Sequence, residues 1–243
     1  MGEPSADETE HVVSNGSQTH DGPDKSRVLP DILVLNANTN TAMTDKMLSA
    51  ACALHPNCRG ATVARGHEYI SDHVSALVAA EAVVDFAETL EGATMPDALV
   101  IACFGDPGLW AVRNRLQIPV IGMAEASCHV ACQMGRRFGI VTGGASWGPM
   151  LKAFVEQTGL SSRMSGIYTL DQTGDVLAAH PQQAVPLIAQ KIDQARGDGA
   201  DVIILGGAGL VGFSGLPSLE SEIPILDSLS CAVSQAVALA RLA

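Results

Sequence analysis

Positive charge is scarce: 14 Lys and Arg stand against 26 Asp and Glu in 243 residues, a formal net charge of -12. Gripping nucleic acid requires clustered cations to neutralise phosphates, so no nucleic-acid partner is expected. Long apolar runs are also missing. Each is broken by charge, Gly or Pro well short of the roughly 20 residues that cross a bilayer, so no membrane partner is expected either. The sequence has no P-loop, and no Gly-x-Gly-x-x-Gly opens its first helix, which leaves nucleotide binding unsupported. Six cysteines, Cys52, Cys58, Cys103, Cys128, Cys132 and Cys231, in a chain without an export-type apolar leader read as reduced thiols and a cytoplasmic location. What is abundant is aliphatic material. A hydrophobic share of 47% is enough for a buried core in one domain or two small lobes. Residues 1–27, acidic and polar with almost nothing apolar, are expected to form a disordered tail, and residues 28–243 the folded unit.

From there, short β-rich runs alternate with helical periodicity, the signature of an α/β fold. Strands are predicted at 31–36, 61–64, 98–104, 118–123, 138–142, 164–168, 202–205 and 223–226. Helices are predicted at 42–54, from about 71 to Gly92, and at 107–116, 125–134, 147–157, 181–196 and 230–242. In the second helix Val74, Val78, Ala82, Phe86 and Leu90 form one apolar stripe.

The chain also repeats itself. Asp97-Ala-Leu-Val-Ile-Ala-Cys-Phe-Gly105 matches Asp201-Val-Ile-Ile-Leu-Gly-Gly-Ala-Gly209, and each is followed at a similar distance by an Ile-Pro strand opening, Ile118-Pro119 and Ile223-Pro224. The 138–142 strand likewise echoes the 32–36 strand. Two similar lobes in tandem are predicted, related by pseudo-symmetry, each with a mostly parallel sheet flanked by helices. Strand carboxyl ends converge on the ligand crevice of parallel sheets, which would bring Asn36, Cys103, Thr142 and Gly207 to one inter-lobe cleft.

At Cys103-Phe-Gly-Asp-Pro-Gly-Leu109 the sequence resembles the hydantoin and allantoin racemase branch of the aspartate/glutamate racemase superfamily. The Asn36-Ala-Asn-Thr39 turn, Pro119-Val-Ile-Gly122, the 138–142 strand and the Gly199–Gly209 stretch resemble further landmarks of that branch, from about Val28 to the end. The resemblance implies a cofactor-independent enzyme in which two cysteines, one from each lobe, face each other across an acidic carbon. The first maps onto Cys103; the second falls at Gly207, where no thiol stands. A simple two-cysteine racemase is therefore excluded. Three readings remain: a racemase-like isomerase whose second face is served by another residue or water, a one-cysteine decarboxylase of a malonate-like acid resembling arylmalonate decarboxylase, and a protein that binds a small acid without turning it over.

Removing a proton beside a carbonyl needs a base and a site that stabilises the resulting enolate. Cys103 is the predicted acid or base. The N–H groups of Phe104, Gly105, Ala208 and Gly209 are predicted to form an oxyanion cradle, with Asn36, Asn38, Thr39 and Thr142 as side-chain donors and Gly143 close by. The expected partner is a small carboxylate or cyclic ureide; a homo-oligomer is compatible with this reading. A turn before a helix favours thiolate at Cys103, whereas an apolar setting opposes it. Asn36, Asn38 and Thr39 read equally well as turn and cap residues. Glu125 reads as a first-turn acid and Asp106 as the cap of a helix opened by Pro107. The Cys52-x-x-His55-x-x-Cys58 and Cys128-His129-x-x-Cys132 spacings lack the partners of a tetrahedral metal site, and no metal is expected.

Overall fold

The computed structural model describes residues 29–243, so the tail expected at 1–27 lies outside the described residues. Two four-stranded, all-parallel sheets form the two lobes. The first runs β2(Cys58–Thr62), β1(Ile32–Asn36), β3(Ala98–Ile101), β4(Val120–Gly122); the second runs β6(Met164–Leu170), β5(Phe138–Gly143), β7(Val202–Gly206), β8(Ile225–Asp227). Two similar lobes are what the internal repeat predicts, and the strand order corresponds in both. Central strands β1, β3, β5 and β7 are buried along their whole length, which is why they read as continuous apolar runs.

The helices are α1(Thr41–Leu54), α2(His73–Glu88), α3(Leu109–Arg113), α4(Met123–Met134), α5(Trp147–Gln157), α6(Gly174–Ala179), α7(Pro181–Gly197) and α8(Ser228–Ala240). Two of them trade places. Helix α4 leaves β4 of the first sheet but packs against β7 of the second, whereas α8 leaves β8 of the second and packs against β3, β4 and α1 of the first. The two helices also pack on each other, so one apolar cluster runs from Val34 and Val100 through Ala131 and Val233 to Ile140 and Ile204. The alternate residues Val141, Ile203 and Leu205 face the other way, into a second cluster with Ile188 and Ile192 of α7.

Three expectations are corrected. The second strand is Cys58–Thr62, not 61–64; as a half-exposed edge strand it carries little apolar signal. The buried face of α2 is Ser75, Ala79, Ala82, Val83 and Ala87, whereas Val74, first in the expected stripe, is 70% exposed. Small side chains face the lobe here because α3 approaches closely: a Cβ on Gly108 would lie 2.8 Å from the Ala80 carbonyl oxygen. Finally, the helix expected at 107–116 shrinks to α3, because Gly105, Asp106 and Gly108 all take positive φ and hold 103–108 as a turn.

Candidate active site

The carboxyl ends of β1, β3, β5 and β7 open on a cavity between the lobes, the usual place for a ligand in parallel α/β folds. Of the residues singled out in the sequence, Asn38, Cys103, Phe104, Thr142, Gly143, Gly207, Ala208 and Gly209 line it. Asn36 and Thr39 do not. The Asn36 side chain is fully buried, its amide donating to the Asn40 carbonyl at 2.9 Å and the Thr44 hydroxyl at 3.0 Å while its oxygen accepts from Asn38 N–H at 3.1 Å. It holds the turn that Asn40 then caps by accepting from Met43 N–H. Thr39 is tied by its N–H to the His67 carbonyl. Gly105 lies outside this cavity and against a second one, which shares Ile70, Cys103 and Trp147 with the first.

Cys103 sits two residues beyond β3, on the wall of the first lobe. Burial pushes its thiol up to about 12, with the nearby Asp106 carboxylate adding to the shift. Burial opposes thiolate here, and α3 begins only at Leu109, so Cys103 is not in its first turn. Asp106 does not cap α3, as the sequence suggests. Its carboxylate accepts from Ala124 and Glu125 N–H, both at 2.8 Å, and so caps α4 while its own N–H donates to the Cys103 carbonyl. Asp106 is also the one non-glycine residue at positive φ among the described residues, and the α4 cap holds it there. Glu125 is in the first turn of α4, bonded by Arg113 through both carboxylate oxygens.

Across the cavity, Gly207 follows β7 with φ +114, a conformation glycine adopts freely. A Cβ there would meet only the Thr142 hydroxyl, at 3.8 Å. Thr142 Oγ1 donates to the Gly206 carbonyl at 2.8 Å. Among the described residues the N–H groups of Phe104, Gly105, Ala208 and Gly209 donate to no protein acceptor, which leaves those of Phe104, Ala208 and Gly209 available at the cavity wall.

Side chains from each lobe cross to the other. Phe104 packs on Gly206, where an added Cβ would be 2.6 Å from the ring, and Trp147 of α5 packs on Gly105, with a corresponding separation of 2.7 Å. Lys46 of α1 donates to the Gly209 carbonyl at 3.1 Å. Tyr69, in the connection from β2 to α2, reaches the opposite wall, where its hydroxyl accepts from Gly174 N–H at 3.3 Å. Tyr69, Trp147 and Asp175 all line the cavity, and sequence reading missed them. The available signal was faint: Tyr69 is one of two tyrosines in the chain and lies in the connection after the strand expected at 61–64.

The pattern described as Asp/Glu/Hydantoin racemase matches residues 32–236. The chain is 34% identical to hydantoin racemase of Paenarthrobacter aurescens, a match covering 87% of this chain and 91% of the relative. It is 30% identical to hydantoin racemase of Rhizobium meliloti, covering 86% and 88%. The crystal structure of allantoin racemase from Pseudomonas fluorescens superposes with a TM-score of 0.81 at 27% identity, covering 87% of this chain and 91% of that one. Arylmalonate decarboxylase shares the fold, with a TM-score of 0.62 at 17% identity over 86% and 92%. A matching family pattern over most of the chain, two lobes of the same architecture and a common cleft lead to one conclusion: the chain belongs to the Asp/Glu/Hydantoin racemase family and is a racemase-type enzyme.

Proposed function

We propose that residues 28–243 act as a cofactor-independent isomerase of hydantoin racemase type, moving a proton at the carbon beside a carbonyl of a cyclic ureide or small carboxylate. The observation that supports this reading is that Cys103 of the first lobe and the Gly207–Gly209 turn of the second line the same cavity. Cys103 serves as the acid or base. The N–H groups of Phe104, Ala208 and Gly209 receive the charge that develops on the carbonyl oxygen, and Asn38 and Thr142 orient the ligand. Such donors act strongly in a partly dry cleft because they need no reorganisation as the charge appears.

A second reading has its own support. A thiol held protonated by burial is suited to deliver a proton, and Gly207 offers no group for the other face. Loss of carbon dioxide from a malonate-like acid would generate an enediolate that a single thiol could protonate.

Incubation in deuterated water with single enantiomers of 5-substituted hydantoins and allantoin tests the first reading. Exchange accompanied by loss of optical rotation is expected. No exchange with any of them, but release of carbon dioxide from an arylmethylmalonate, would replace it with the second; binding without turnover would leave a small-acid binding protein. The pH profile separates the two reactions independently. Proton abstraction requires the thiolate, which is scarce below about 12, so the racemisation rate, corrected for the spontaneous reaction, should climb steadily through the alkaline range. Protonation by the thiol would give a flat profile there.

A further inference from the structure

We infer that Tyr69 supplies the second acid-base group, acting on the face of the reacting carbon opposite Cys103. The inference rests on the isomerase reading above and names the group that Gly207 cannot provide.

The argument starts from where the phenol oxygen lies. Tyr69 belongs to the first lobe by sequence, but its hydroxyl reaches the second. It accepts from Gly174 N–H at the start of α6, and a Cβ added to Gly144 would lie 3.1 Å from it. Gly174 in turn packs directly against Gly209, where an added Cβ would overlap the Gly174 carbonyl oxygen. The phenol oxygen therefore lies beside the Gly207–Gly209 turn of the second lobe, whereas Cys103 comes to the same cavity from the first lobe. Groups brought from two lobes are what inversion at carbon requires.

The hydrogen bonding around that oxygen also suits the role. Gly174 N–H donates to it at 3.3 Å and the Trp147 side chain lies nearby, and both favour the phenolate. The Gly174 bond occupies one lone pair, and among the described residues the Tyr69 O–H has no protein acceptor. Its proton is thus available to the cavity, and the phenolate left after transfer meets the Gly174 donor already in place. Burial, the largest influence, and the nearby Asp175 and Cys103 push the phenol upward, so it waits in the protonated form.

The proton balance closes over two turnovers. In one direction the Cys103 thiolate takes the hydrogen from carbon, and the C–H electron pair passes into the enolate. The carbon then takes a proton from Tyr69 on its other face, leaving a thiol and a phenolate. With the mirror-image substrate the phenolate abstracts, the thiol returns a proton, and the starting pair of protonation states is restored.

Tyr69→Phe is the decisive variant, because it removes one oxygen and keeps the ring that packs between the lobes. General acid-base groups contribute on the order of 100- to 10,000-fold. Racemisation should fall by about 100-fold or more, while the enantiomer that presents its hydrogen to Cys103 continues to exchange deuterium with retention; its melting temperature reports that the fold persists. Racemisation by the variant at the unmodified rate would overturn the assignment to Tyr69 and leave the isomerase reading standing. Equal loss of exchange for both enantiomers in a folded variant would also overturn it, since a missing second-face acid spares the Cys103 face. Absence of racemisation in the unmodified protein would remove both.

Discussion

At the scale of single residues, the proposed chemistry is divided between Cys103 and Tyr69. Cys103→Ser keeps the shape but replaces the thiol with a far weaker acid. It should slow racemisation, and exchange of the enantiomer that presents its hydrogen to Cys103, by about 100-fold or more, with the melting temperature little changed; exchange of that enantiomer at the unmodified rate, followed by NMR, would remove Cys103 from the mechanism. Gly207→Cys meets open space but unfavourable backbone, since φ +114 strains any side chain. The strain costs on the order of 1–3 kcal/mol. In the Tyr69→Phe background this thiol should restore part of the lost racemisation while lowering the melting temperature, two effects readable by polarimetry and calorimetry. Cys103 was legible in the sequence because a distinctive string surrounds it. Tyr69 was not, because its role depends on a contact with Gly174, 105 positions away in the chain. Asn36 shows the converse: its residue type suited a ligand contact, but the donors are consumed locally by Asn40 and Thr44.

At the scale of elements, the turn that carries Cys103 is fastened to a helix it does not precede. Asp106 caps α4, and burial lifts its carboxyl up to about 7 against the pull of the two N–H groups it accepts from. Between its ordinary value near 3.8 and about 7, the folded chain therefore holds a proton that the unfolded chain has lost. Stability from this group is greatest below 3.8 and declines as pH rises through that window. Asp106→Asn removes the titration, so thermal melts from pH 4 to 8 should show the unmodified protein losing stability relative to the variant as pH rises; parallel curves would refute the coupling. The capping partner could not be read from sequence, because Asp-Pro is a local cap signal and the real acceptor geometry spans 18 positions. Strands fared better than helix faces. A strand buried on both sides is apolar throughout, as in β1 and β7, whereas α2 turns small residues inward and leaves Val74 and Leu77 exposed, which an apolar stripe cannot foretell.

At the scale of the whole molecule, the repeat predicted two similar lobes, each with a mostly parallel sheet, and the structure has them, with corresponding strand orders. The swapping of α4 and α8 was invisible in the sequence, because each helix is apolar enough to pack on either sheet and only the three-dimensional path decides which. The exchange also bears on how such a protein could be divided. A gene cut at Gly135, just past α4, would give each fragment a helix whose apolar side is fitted to the other's strands. Expressed singly, both fragments should be insoluble or molten. Co-expressed, they should reassemble with recovered turnover, whereas well-dispersed NMR spectra from either piece alone would show that the interlock is dispensable. The crossed helices thus tie the crevice to the joining of both lobes, since its lining is drawn from each.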